Sequence, residues 1–397
     1  KPSPHTPMDR IPRTVWALGL VSLFMDLSSE IIHALLPLFL TTTLGVGVAM
    51  VGLIDGIAEA TASISKVFSG YISDRIGRRK PLILLGYGLG ALSKPLFALA
   101  GSATVVLSAR FADRIGKGLR GAPRDALVAD VTPEAIRGRA FGLRQSLDTI
   151  GAFAGPLLAI VLMAALSDDM RKVFWIAVIP AVLAVLFVVF GVSEQHPPAH
   201  SGSGRPPIKI TDLKRLDRPF WTVVVIGVAF TLARFSEAFL IFKASDEGLP
   251  LTFAPAVLVV MNIVYALGAY PAGIAADRYP EQRLLGLGLI VLILADLAIA
   301  FVSGLVGVFV GIALWGLHMA LTQGLMAKLV ADRAPPELRG SAFGVFNLAA
   351  GVAMLVASLL AGLLWDRLGA SSTFLAGAGF ATIALIGLVR SRIVPAT

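Results

Sequence analysis

Long apolar runs alternate with short polar breaks along the whole chain. The runs fall at residues 14–41, 49–72, 81–100, 103–129, 139–165, 172–192, 219–243, 252–276, 284–303, 305–331, 340–364 and 372–390. A helix needs about 20 mostly apolar residues to cross a bilayer, so the pattern predicts an all-α membrane protein with twelve transmembrane helices. The longest hydrophilic stretch, Ser193–Arg218, contains "EQHPPAHSGSGRPP" and reads as a flexible cytoplasmic linker. It divides the runs six and six. The expected organisation is an N-terminal six-helix bundle (1–192), a linker (193–218) and a C-terminal six-helix bundle (219–397), the two bundles being pseudo-symmetric.

Composition agrees with that reading. Of 397 residues, 56% are hydrophobic and 15% charged, and the mean hydropathy is +0.82. Soluble domains carry about a quarter charged residues. Forty glycines and 23 prolines suit bundled membrane helices, whose backbones approach closely. With no cysteine, disulfides, thiolate metal sites and cysteine nucleophiles are excluded. The first run is too long for the apolar region of a cleavable signal peptide.

The net charge of +9 could suggest a nucleic-acid partner, but the placement of the bases argues against one. With the N-terminus inside, 20 of the 34 Lys and Arg residues lie in inside segments and three (Arg171, Lys172, Arg367) in outside segments. The remaining eleven lie in or at the edges of the runs. This asymmetry is the positive-inside rule and places both termini in the cytoplasm, in a multi-pass protein of the inner membrane.

The two halves repeat each other. "LVADVTPEAIRGRAFG" from Leu127 recurs as "LVADRAPPELRGSAFG" from Leu329, 202 positions later, and "GYISDR" (Gly70–Arg75) recurs as "GIAADR" (Gly273–Arg278), 203 positions later. "SE" at Ser29–Glu30 returns at Ser236–Glu237. A near-constant offset between corresponding places of two six-helix halves points to a duplicated bundle, an architecture of secondary transporters.

Gly70, Asp74, Arg75, Gly77, Arg78, Arg79 and Lys80 match the G-x-x-x-D-R-x-G-R-R/K loop between helices 2 and 3 of the major facilitator superfamily, which the chain resembles over its whole length. The resemblance implies two six-helix domains rocking about a central cavity lined by helices 1, 4, 7 and 10. The loop, with Asp277 and Arg278 at the repeated position, is then a gating latch that Asp74 closes or releases by pairing in one state. Arg114-Ile-Gly-Lys117-Gly118 resembles the helix 4 pattern R-x-x-Q-G of the drug–proton antiporter branch, with Lys117 in place of Gln. Gly142, Gly151 and Gly155-Pro156 resemble its helix 5 pattern, although Ala159-Ile160 stands where two glycines follow. These partial matches imply export by antiport.

The charges inside the runs are the candidate chemistry. On a helix, Arg110, Arg114, Lys117 and Arg124 of the fourth segment fall within roughly 80° of one another, with Asp113, Arg120 and Asp125 beside them. Such a basic face must meet protein or a watery cavity rather than lipid. Acids form its counterpart. Asp26, Ser29, Glu30, His33 and Pro37 share a face of the first segment, as do Asp55, Glu59, Ala62 and Lys66 of the second. Arg144 and Asp148 lie one turn apart in the fifth, and Arg234 and Glu237 sit in the seventh. The second half is milder. Arg114 aligns with Gly316, Lys117 with Met319, Arg124 with Met326 and Asp148 with Ala350. Its expected cavity face is Asn262, Tyr265, Trp315, His318, Gln323 and Asn347.

Three uses of these charges stand side by side. The acids of the first, second and fifth segments can neutralise the bases of the fourth. Asp26, Glu30, Glu59 and Asp148 can exchange protons as nearby bases move. A substrate can be held by Asp26, Glu30, His33, Arg110, Arg114, Arg234, Glu237, Asn262, Trp315 and His318. The arginines suit a carboxylate or phosphate. Asp26, Glu30 and His33 suit a cation, including a divalent metal. The expected protein is therefore a secondary active transporter, monomeric, moving a small solute by alternating access with proton coupling and export. Its partners are a small molecule or ion, protons and the lipid bilayer. No nucleophile–base pair or cofactor loop points to an enzyme or to a cofactor. A non-transporting sensor or a channel on the same scaffold is the other class, but the short linker leaves no room for an output domain.

Overall fold

A computed structural model describes residues 11–76, 78–133, 136–194, 216–333 and 339–390. Helices form at all twelve apolar runs, and no strand occurs among the described residues. They are α1 (Arg13–His33), α2 (Val48–Ile76), α3 (Lys80–Leu99), α4 (Ala103–Val131), α5 (Arg137–Ala165) and α6 (Met170–Gly191). The seventh run is split into α7 (Arg218–Ala233) and α8 (Ala238–Asp246). Then follow α9 (Ala256–Arg278), α10 (Glu281–Phe301), α11 (Gly304–Arg333), α12 (Arg339–Leu368) and α13 (Ala370–Arg390). Eleven spans among the described residues are long and apolar enough to cross a membrane. The remaining helix, α4, carries the charged stretch. Leu92, Leu267 and Val306 are 72%, 73% and 76% exposed on helix surfaces, as lipid-facing side chains are. The chain is a multi-pass membrane protein.

Two of the expected spans are interrupted. The first run ends its regular helix at His33, continues through a short helix at Leu36–Leu38 with Pro37 in its first turn, and closes in a π-helical turn at Phe39–Thr43. The seventh run breaks at Arg234–Glu237 with neither Gly nor Pro present. There Arg234 adopts an extended conformation while its N–H bonds the carbonyls of Phe230 and Thr231.

The helices form two compact units: residues 1–33 with 64–207, and residues 34–63 with 208–397. In the first unit α1 packs on α5 and α6, and α3 packs on α4 and α6. Val15, Leu18, Val21, Met25, Ile83, Leu127 and Val188 form its core. The glycines of the expected helix 5 pattern bring α5 onto α1. A Cβ at Gly151 would lie 3.0 Å from Leu23 Cα, and one at Gly155 would lie 3.1 Å from the Leu27 carbonyl oxygen. One end of this unit is held by two reciprocal caps. The Glu194 carboxylate accepts from the backbone N–H groups of Arg79 and Lys80 at the start of α3. Lys80 Nζ in turn donates to the carbonyls of Val189 and Val192 at the end of α6, at 3.1 and 2.6 Å. Each charge thus meets the helix end of opposite polarity.

In the second unit α10 packs between α11 and α13, and α13 also packs on α7. Gly369, at φ +89°, turns α12 into α13 through a single residue, a conformation that a side chain would strain. Glu247, just beyond α8, accepts from Lys243 and from the N–H of Gly304 at the start of α11. These two donors hold its carboxyl below the usual range, so the tie is present at neutral pH and is lost on acidification. Phe235, Phe239, Phe242, Trp315, Trp365 and Phe374 form a continuous aromatic cluster.

The first half of α2 packs on α12 through small residues. A Cβ at Gly56 would lie 2.8 Å from Leu355 Cα, and one at Gly351 would lie 2.9 Å from Ser63 Cβ. Across the same seam the Asp366 carboxylate accepts from the N–H of Ala49 at 2.9 Å. Gly56→Leu is expected to cost about 1–3 kcal/mol of stability, because backbone rather than a movable side chain faces the added atoms. Gly88→Ala on α3, where nothing lies within 4 Å, is the control and should leave thermal unfolding unchanged.

Candidate functional site

In the first unit the basic face of α4 meets α1, α3 and α5. Arg110 reaches α1, with Nη2 2.8 Å from His33 Nδ1. Asp113 is buried and bonded to Lys94 Nζ of α3 at 2.8 Å, while Arg114 Nε stands 4.0 Å from the other Asp113 oxygen. The Lys94 ammonium also donates to Ser29 Oγ at 2.9 Å. Further along α4, the Arg120 guanidinium lies 4.6 Å from the centre of the Tyr87 ring, a cation–π contact. Arg124 donates to Ser22 Oγ at 3.0 Å, and Ser22 lies 3.3 Å from the Tyr87 hydroxyl. Lys117 is exposed.

A second knot joins α1, α4 and α5. Asp26 of α1 and Asp148 of α5 face each other, and the carboxyl of each acts on the other. A hydrogen bond between them would need a proton, since an ionised carboxylate can only accept. Arg124 Nη1 and Arg144 Nη1 each stand 3.7 Å from Asp148 Oδ1, and Arg144 Nε stands 3.6 Å from Asp125. A carboxyl pair that can hold one proton therefore sits between two guanidinium groups. Glu30 lies on the same helix with its Cβ facing Gly155 of α5.

The second unit has a smaller polar centre at the helix break. Ser236 Oγ donates to Asp55 Oδ2 at 2.7 Å and accepts from the N–H of Ala238 at 3.2 Å, which starts α8. Arg234 feels the charges of Glu237 and Glu59 and the nearby Tyr265 hydroxyl. Asn262 is half-buried on α9.

These contacts give several of the expected residues named partners. Asp55 and Glu59 belong with the second unit and answer Ser236 and Arg234 of the broken seventh segment. The counter-charge from α3, Lys94 against Asp113, was not anticipated. Its signal was present as a lone base in an otherwise apolar run, but nothing linear tied it to Asp113. Trp315 and His318 are buried, 0% and 1% exposed. His318 Nδ1 contacts the Gly288 carbonyl at 2.8 Å and its ring stacks on Phe230. Among the described residues no three His, Asp or Glu side chains come together as a metal site. Asp26 turns to Asp148 and His33 to Arg110, so Asp26, Glu30 and His33 do not converge.

The expected latch falls largely outside what is described. Gly77 lies outside the described residues, as do the side chains of Asp74, Arg75, Asp277 and Arg278 and the surroundings of Gly70. Arg78 is exposed, and Arg79 Nε stands 3.4 Å from Asp130. Most of the expected linker, 195–215, is likewise outside.

Comparison with known proteins agrees with the twelve-helix plan. The model of the Major Facilitator Superfamily matches residues 18–353 and 238–396. An uncharacterized MFS-type transporter of Methanocaldococcus jannaschii is 31% identical over 382 residues, covering 94% of this chain and 93% of that protein. The multidrug resistance protein MdtH of Proteus mirabilis is 26% identical, covering 83% of this chain and 82% of its own. Among solved structures, a mutant form of the nucleoside transporter NupG superposes with a TM-score of 0.78 at 15% identity, over 95% of this chain and 99% of that one. The chain belongs to the Major Facilitator Superfamily. It is a membrane transporter rather than an enzyme.

Proposed function

We propose that the protein is a proton-coupled exporter of the cytoplasmic membrane that exchanges protons for a small organic solute by alternating access. The pairing of Asp26 with Asp148, set beside Arg124 and Arg144, carries this reading. A proton held there neutralises the pair. Its release leaves two carboxylates that attract both guanidinium groups, so α1, α4 and α5 shift together as the proton enters or leaves. Glu30 and Glu59 are the further acids near mobile bases. Export is favoured by the antiporter-like glycines of α5 and by the similarity to a multidrug resistance protein. The surplus of bases in inside segments supports a cytoplasmic location of both termini. The protein is read as a monomer with bundles at 1–192 and 219–397, a linker at 193–218 and the Asp74 and Asp277 loops as latches.

The substrate class favoured is an organic anion. Buried bases outnumber buried acids among the described side chains of the first unit: Lys94, Arg110, Arg114, Arg120 and Arg144 against Asp113, with Asp148 and Asp125 half-buried or exposed beside Arg144. Arg110 with His33, and Arg114, are the first unit's candidates for holding it, and Arg234 with Glu237 and Asn262 are the second unit's. The test has two stages. Purified protein is screened by thermal shift against organic anions, cationic drugs and divalent metals, because a specific binder stabilises the folded state. The best binder is then offered to reconstituted vesicles with an acid interior. Accumulation that a proton ionophore collapses is the expected result. Accumulation indifferent to the pH gradient would overturn the coupling, and a metal or a cation as best binder would overturn the substrate class.

A further inference from the structure

Asp296, on α10 of the second unit, takes no part in the site described above. It is fully buried at 0% exposure, and neither carboxylate oxygen has a hydrogen-bond partner. No charged side chain among the described residues acts on it. Its surroundings can be named from each packed element. On α13, Gly377 faces it so closely that a Cβ there would lie 2.7 Å from Asp296 Oδ2, and α13 has no ionisable side chain before Arg390. That same Cβ would lie 3.0 Å from Phe235 Cε1 and 3.3 Å from the Ala233 carbonyl, both at the break between α7 and α8. On α11, Gly311 packs against Ala295 and Ile299 beside the acid. One turn on, Trp315 is fully buried with its Nε1 donor unpartnered, 5.4 Å from the Phe235 ring centre to centre. The ionisable groups on these elements nearest in sequence to the site have partners elsewhere: His318 meets Gly288, and Arg234 feels Glu237 and Glu59.

A carboxylate ion in such a place would cost far more than the fold could supply, whereas a neutral carboxylic acid costs only an unmade hydrogen bond or two. The site is lined by aromatic rings and one carbonyl, too few oxygens for a metal ion but sufficient for a proton. We propose that Asp296 is a second proton-binding site of the transporter, holding a proton as the neutral acid in the packing seen here and releasing it to water when the α7–α8 break moves off Gly377. Phe235 is the lid, since it packs on Gly377 beside the acid and belongs to the unwound segment. On release the carboxylate needs a donor, and the spare N–H of Trp315 is available on the neighbouring helix. The proton comes from water and returns to water, so no other reactant is required. The site is distinct from the Asp26–Asp148 pair, and the inference stands whether or not that pair drives transport.

Infrared difference spectroscopy on the purified, lipid-reconstituted protein tests it without knowledge of the substrate. At neutral pH the protein should show the carbonyl stretch of a protonated carboxyl in an apolar site. Asp296→Asn should remove that band and Asp26→Asn should leave it. Gly377→Ala, which presses on the oxygen without removing it, should shift the same band, so a folding failure of Asp296→Asn leaves the proposal testable. An unchanged band in Asp296→Asn, or a band indifferent to Gly377→Ala, overturns the proposal.

Discussion

Lys94→Met is expected to destabilise the protein by about 3–5 kcal/mol, the usual cost of leaving one partner of a buried ion pair uncompensated. Lys94 and Asp113 are 1% and 5% exposed in their side chains and 2.8 Å apart. Both side chains are shielded from solvent, and without Lys94 the Asp113 carboxylate keeps only the longer contact with Arg114 at 4.0 Å. Asp113→Leu alone should cost a similar amount, because Lys94 would then be buried with only Ser29 as acceptor. The double variant, Lys94→Met with Asp113→Leu, should recover most of the loss, since apolar side chains of similar volume can replace a buried pair at little cost. Reversible unfolding in mild detergent measures all three. If the single variants are as stable as the wild type, the pair is not buried in the working protein. If the double variant is no better than the singles, the loss comes from packing rather than charge.

The second large effect concerns transport. Asp26→Asn and Asp148→Asn should each reduce proton-driven accumulation to the level of protein-free vesicles, because Asn cannot accept and release the proton. The double variant should be no worse, since two carboxyls that share one proton act as a unit. Substrate exchange without a pH gradient should survive in Asp26→Asn, separating lost coupling from lost binding. Glu30→Gln reports whether the third acid of this face also takes part. Proton-driven accumulation that persists in both single variants would remove the pair from the mechanism.

How far the sequence could be read differs between elements. α4 was legible in full. Its length, its basic face and its need for protein rather than lipid follow from 3.6-residue periodicity and from the cost of charge in hydrocarbon. The roles of Gly151 and Gly155 were legible too, because a regular spacing of small residues on a membrane helix implies close approach. Lys94 was visible but not interpretable. A single base in an apolar run says that a partner exists, and Asp113 lies 19 residues away on the next helix. Asp296 was equally visible as the lone acid of its run after Glu281, but an acid without a partner differs from a paired one only in space. The helix break at Arg234–Glu237 had no signal, since the usual helix breakers are missing. It forms where Asp55 of another helix takes the Ser236 hydroxyl.

The sequence by itself determined the all-helical membrane architecture and the family, because these rest on hydrophobic length and on loop motifs, which are local or periodic. Only the tertiary structure decided who pairs with whom: Asp26 with Asp148, Arg110 with His33, Lys94 with Asp113, Asp55 with Ser236. Ion pairs and hydrogen bonds act over a few ångströms between helices, and the rotation and depth of each helix against its neighbours fix them. A linear pattern specifies which face is charged, but the partner of that face is set by packing.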